Sequence, residues 1–175
     1  MPVDRTIFVQ EQEASTSVYS EVARVSDLLL AHLNEPDAQG RILDANMPKV
    51  SSSKVQDAFL PYAVELGFRS EATGLFAASL NPGLRPDYYL PIGTTGILLE
   101  VERGKTTINN MDLLDLWKCH VCAHADYLFL MVPQVLVQSA ARAPTRPYQA
   151  VVKRMASFFQ AANYTNVRAL HVFGY

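Results

Sequence analysis

Cysteine is nearly missing from this chain, with two among 175 residues. That excludes a disulfide framework and fits a reducing, intracellular setting. Also missing is an apolar stretch able to cross a bilayer. The longest strongly apolar run, Tyr127 to Val137, is interrupted by Pro133 and Gln134 and is too short. The opening residues, MPVDRTIFVQEQEAS, carry acids and no apolar core, which argues against a secretory signal. A soluble, cytoplasmic protein is expected. Nor is there an excess of positive charge: the formal net charge is −2 and the pI about 6.1. Nothing global draws the chain to nucleic acid, so any such contact has to come from a local basic face. Internal repeats and low-complexity tracts are absent as well.

What is present is apolar residue, 49% of the chain, enough for one globular domain with an ordinary core. Residues 1–50 read as an N-terminal helical arm or accessory segment. A short strand is expected around Ile7 to Val9. Val18, Val22, Val25, Leu28, Leu29 and His32 then recur at helical spacing until Asn34-Glu35-Pro36 ends the helix. Asp37 to Val50 reads as an irregular connection. Ser51-Ser52-Ser53 offers N-caps for a helix from Lys54 to Leu66 with Val55, Phe59, Ala63 and Leu66 inward, a kink or restart at Pro61, and Gly67 as its stop.

Three strands are predicted next: Thr73 to Leu80, Asp87 to Leu90, and Gly96 to Glu102. The turn residues Asn81-Pro82-Gly83 and Pro91-Ile92-Gly93 make them an antiparallel meander. A helix capped at Asn109, with Asp112 in its first turn, should run to His124 and bury Leu113, Leu114, Trp117, Val121 and Cys122. The almost wholly apolar YLFLMV of 127–132 suits a strand covered on both faces and reached by a parallel crossover. After a polar loop over 138–147, a helix from Tyr148 to Ala162 and a strand from Val167 to Phe173 complete residues 133–175. The expected fold class is α/β, a central mixed β-sheet with a three-strand meander, a helical crossover to a parallel strand, and flanking helices.

Chemistry concentrates between Arg85 and Lys105. Side chains alternate along a strand, so Glu100 and Glu102 share a face while Leu99 and Val101 take the other. Asp87 lies on the neighbouring strand. Carboxylates are costly inside an apolar run such as ILLEVE unless something compensates them, and three of them suit a hard divalent cation. Two other motifs carry less. Gly104-Lys105-Thr106-Thr107 lacks the upstream glycine of a phosphate-binding loop, since Leu99 stands there. Cys119, His120, Cys122 and His124 cannot converge from one helix, and read as core thiols beside surface histidines.

Pro86-Asp87, followed by Glu100-Val101-Glu102 at the end of the next strand, resembles the PD-(D/E)xK nucleases over about 51–132. The E-x-E ending is similar to that of type II restriction endonucleases of the BamHI and BglII-like group, with Glu102 where the usual lysine stands. The resemblance makes 51–132 a catalytic core with a restriction-endonuclease-like fold. It implies a Mg²⁺ (or Mn²⁺) ion ligated by Asp87 and Glu100, with Glu102 holding or deprotonating the attacking water or helping to hold a second metal. Lys105 is the alternative lysine, and Glu71 or Glu65 the further carboxylate. Lys54, Lys118, Arg142, Arg146, Lys153 and Arg154 are the candidate phosphate contacts. The implied activity is endonucleolytic cleavage of double-stranded DNA by a homodimer. The alternatives are a structure-selective or repair nuclease of the same fold, and a non-catalytic DNA- or protein-binding module.

Overall fold

A computed structural model describes residues 1–48, 50–70, 85–104, 106–137 and 143–175, with the backbone alone for Ser52 and Leu60. Strand β1 (Asp4–Val9) leads into helix α1 (Ser17–Leu33). The Thr16 hydroxyl caps α1 by accepting from the Tyr19 N–H at 3.0 Å. Val22, Val25, Leu29 and Leu33 form its buried stripe. Asn34 closes it and fixes β1 alongside, its Oδ1 accepting from the Val3 N–H at 2.8 Å.

The expected irregular connection is instead a helix, α2 (Pro36–Ala45). Pro36 ends α1 and also opens α2, because a proline at the first helical position loses no hydrogen bond. Ala38, Ile42 and Ala45 give α2 a narrow buried face that the sequence pattern did not bring out. Helix α3 (Ser52–Glu65) continues through Pro61 instead of restarting there. Close to the gap that proline leaves, the Tyr88 hydroxyl donates to the Gln56 carbonyl at 3.1 Å. Gly67 then ends the helix at a φ of 95°, a left-handed value that only glycine adopts without strain.

The remaining strands are β2 (Arg69–Ser70), β3 (Tyr88–Ile92), β4 (Thr95–Val101), β5 (Tyr127–Val132) and β6 (Ala169–Gly174). With β1 they form a six-stranded mixed sheet in the order β1-β6-β5-β4-β3-β2. The pairs β2–β3, β3–β4 and β1–β6 are antiparallel, and β4–β5 and β5–β6 are parallel. The fold is therefore α/β, a mixed sheet flanked by helices. The strand expected over 73–80 and its turn lie outside the described residues. Strand β3 runs on through Pro91 to Ile92 and turns at Gly93, two residues later than the sequence suggested. On one face α1, α2 and α3 pack over Ile97, Leu99, Val101, Phe129 and Phe173; on the other lie Leu98, Leu128, Leu130, Leu170 and Val172.

Helices α4 (Met111–Val121) and α5 (Pro147–Met155) cover that second face. Helix α4 is capped at Asn110, not Asn109, and ends at Val121. It is also rotated from the expected face: Leu114 and Trp117 are exposed, at 42% and 53%, while Asp112, Asp115, Leu116 and Cys119 are buried. Two aspartates thus replace two large apolar groups at the inward positions. Helix α5 is shorter than expected and passes into a single 3-10 turn at Ala156–Phe159, with Val151 and Met155 buried and Val152 and Phe159 half-buried.

Candidate active site

The reason for the rotation of α4 lies on β4. Leu98 and Glu100 point to the α4 face, and Ile97, Leu99 and Val101 to the other, as alternation requires. Glu100 is 3% exposed. Alone it would be an uncompensated buried charge; Lys118 of α4 supplies the compensation, with Nζ 3.0 Å from Glu100 Oε1. The same ammonium donates to Asp115 Oδ1 at 2.9 Å. Only with Asp115 and Lys118 turned inward can α4 reach Glu100, and Trp117 is turned outward by the same rotation.

Asp87 stands just before β3 and opposite Glu100. The two residues interlock: the Val101 N–H donates to Asp87 Oδ2 at 2.8 Å, and the Asp87 N–H donates to Glu100 Oε2 at 3.2 Å. Gln56 of α3 adds a side-chain hydrogen bond to Asp87. Glu102 follows the end of β4 and is held from both sides, its N–H donating to the Met131 carbonyl at 2.8 Å and its carbonyl accepting from the Tyr175 hydroxyl at 2.6 Å. Between them Arg103 spreads its guanidinium over the Asn46 side chain and the carbonyls of Asn46, Met47 and Val50 at the end of α2.

These groups line one cavity of about 430 Å³, walled by Asp87, Glu100, Glu102, Lys118, Gln56 and Met111 among others. Its electrostatics are lopsided. Burial raises the Glu100 carboxyl well above the usual range, and Asp115 and Asp87 add to the rise against Lys118. Burial, then Asp115 and Asp87, push Glu102 up to about 7. Asp115 is pushed to about 6 by burial, with Lys118 opposing, and Asp87 is raised by burial. Burial works against the charge of Lys118, but Glu100 and Asp115 outweigh it and its pKa is raised. Four carboxyls therefore share one ammonium. Asp115 Oδ2 is buried with no hydrogen-bond partner among the described residues.

That surplus of oxygen donors fits a hard divalent cation. Among the described residues, however, no three His, Cys, Asp or Glu side chains form a ready-made metal cluster. Asp87 accepts from the Val101 N–H, and Glu100 accepts from the Asp87 N–H and from Lys118.

The other residues singled out in the sequence scatter. Glu65 is exposed at the end of α3, away from the cavity. Glu71, Lys105 and Arg142 lie outside the described residues. Lys54 is exposed on α3 beside a separate groove with Arg41, Asp44 and Asp57. Arg146 and Lys153 are exposed at and on α5. Arg154 is drawn inward, its Nη1 2.9 Å from Asp112 Oδ1 and 3.1 Å from Asn110 Oδ1. Lys118 is only 14% exposed and engaged twice. Cys119 and Cys122 are buried free thiols, as read from the sequence. Sequence reasoning missed Asp115 and Gln56. The signal for Asp115 was the Asp112, Asp115, Lys118 spacing of three, which puts two acids and a lysine on one side of an otherwise apolar helix.

No family model matches the chain, and no curated protein matches it. Among solved structures, a restriction endonuclease, BglII complexed with a DNA 16-mer, is similar over 99% of this chain and 78% of that one, with 12% sequence identity and a TM-score of 0.41.

Proposed function

We propose that this chain is a divalent-metal-dependent endodeoxyribonuclease that cleaves double-stranded DNA, in the manner of type II restriction enzymes and as a homodimer. One observation carries the reading: Asp87, just before β3, and Glu100 of β4 interlock and line one cavity with Glu102 and Lys118. The Pro86-Asp87 and Glu100-Val101-Glu102 resemblance to PD-(D/E)xK nucleases supplies the substrate class.

Phosphodiester hydrolysis forms a bond from a water oxygen to phosphorus and breaks one phosphorus–oxygen ester bond. One water proton has to leave, and the departing oxygen has to gain a proton. Mg²⁺ or Mn²⁺ held by Asp87 and Glu100, when bound, supplies charge neutralisation and a more acidic water. Glu102, pushed up to about 7, is part protonated near neutrality and suited to taking the water proton. Lys118 brings a positive charge to the pocket from α4, so a cation is present although the strand carries none at Glu102. An ammonium there stabilises the negative charge that develops on the phosphoryl oxygens. Arg146, at the start of α5, and Lys153, in its last turn, are exposed and serve as phosphate contacts in this reading.

The test is a substrate panel of supercoiled, linear and branched DNA incubated with Mg²⁺ or Mn²⁺. Discrete duplex fragments are the expected result. Preferential cutting of branched DNA identifies the structure-selective alternative, and no cutting of any substrate with either ion contradicts a catalytic role.

A further inference from the structure

Lys118 does something that a water-positioning lysine alone need not do. Its ammonium lies between Glu100 and Asp115, 3.0 and 2.9 Å from their oxygens, in the place where the surplus carboxylates most require positive charge. Glu100 gives one oxygen to Lys118 and the other to the Asp87 N–H. Both of its oxygens are therefore already engaged in this arrangement. Asp115 differs, since its Oδ2 is buried and has no partner among the described residues.

From this we propose, on the basis of the metal-dependent reading above, that Lys118 is an internal counter-cation exchanged for the divalent ion. Entry of the metal displaces Nζ from Glu100, and Asp115 retains it through its second, unused oxygen. Metal occupancy and the position of the catalytic lysine are then one coupled event. The physical reason is charge. Two cations cannot both occupy Glu100 without strong repulsion in a largely buried site, whereas a Lys118 swung onto both oxygens of Asp115 keeps its compensation. Asp115 is a positioning residue in this account. It touches neither the metal nor the substrate and acts by receiving Lys118.

The exchange makes a prediction opposite to that for an ordinary supporting lysine. Mn²⁺ binding is titrated calorimetrically at pH 8, where competition by protons is least, for the wild type, Lys118→Met and Glu100→Gln. Lys118→Met is expected to bind Mn²⁺ about tenfold more tightly, because the competing charge is gone, while losing DNA cleavage. Glu100→Gln is expected to lose the binding. Equal or weaker binding by Lys118→Met, with Glu100→Gln still abolishing it, overturns the exchange and leaves the metal site standing. Binding unchanged in Glu100→Gln removes the metal site and the exchange together. If Lys118→Met does not fold, the Lys118 ¹⁵Nζ resonance of the wild type decides, with Lys118→Arg used for its assignment. A saturable shift on adding Mg²⁺, absent in Glu100→Gln, is expected; a resonance unmoved while Mn²⁺ binds overturns the exchange.

Discussion

Glu102 lies two residues beyond Glu100, just past the end of β4 and largely buried, and its raised pKa is the more telling. Its carboxyl ordinarily titrates at 4.5 and is pushed to about 7, and that of Asp115 rises from 3.8 to about 6. A carboxyl whose pKa is raised on folding holds a proton that the unfolded chain has already released. Its contribution to stability is complete below the unfolded pKa and is lost as pH rises through the folded one. The metal-free protein is therefore expected to lose stability between about pH 4 and pH 7, on the order of 2 kcal/mol from Glu102. Thermal unfolding at stepped pH checks this: the fall should be shallower in Glu102→Gln, and an equally steep fall in that variant counts against the assignment. At the same scale the alternation of β4 fixed the face that Glu100 takes, while Asp87 and Glu102, just outside β3 and β4, reach the same cavity from the strand ends. The sequence did not single out Asp115, whose inward position depends on Glu100 of another element.

At the scale of elements, α4 is where local pattern and tertiary structure part. A helix reading MDLLDLWKCHV offers Leu114 and Trp117 to a core, and the fold declines both. Rotation toward Glu100 brings in Asp112 as well, and Arg154 of α5 comes inward to meet it. Arg154→Ala is expected to destabilise the protein by roughly 3 kcal/mol, since it leaves a buried carboxylate with no counter-charge. Chemical denaturation measures this, and a loss below about 0.5 kcal/mol would mean the pair is worth no more than a surface one. Helix α2 was invisible for a different reason: Pro36 signals an ending and a beginning equally well. Its end is tied to the site by Arg103, whose guanidinium spans three carbonyls and the Asn46 side chain. Arg103→Ala is expected to cost about 2 kcal/mol of stability through unsatisfied carbonyls. Cleavage should fall with it, because Glu102 is its neighbour in the chain. Denaturation and cleavage rates measured on the same preparation read out the two effects.

At the scale of the molecule, the sheet order was largely legible. The turn at Pro91-Ile92-Gly93 announced the antiparallel β3–β4 pair, the apolar run 127–132 announced a strand covered on both faces, and the helix between β4 and β5 announced a parallel neighbour. The strand expected over 73–80 lies outside the described residues. The last strand pairing with the first was not legible, since β1 shows only a short half-buried pattern and its partner lies at the far end of the chain. Among the described helices none is long and apolar enough to cross a membrane. Under the proposed nuclease function, a twofold dimer places one cavity against each strand of a palindromic duplex. Cutting both strands in one encounter is its kinetic sign.

Glu100 is central to the proposed function, since it touches Asp87 and Lys118 and lines the cavity. Supercoiled plasmid incubated with Mg²⁺ and either wild-type protein or folded Glu100→Gln tests it directly. The account predicts linear DNA from the wild type, none without the metal, and at least a hundredfold slower cutting, on the order expected for loss of metal-assisted catalysis, from the variant. Equal cutting by both proteins, or cutting that persists in the absence of divalent ions, would contradict it.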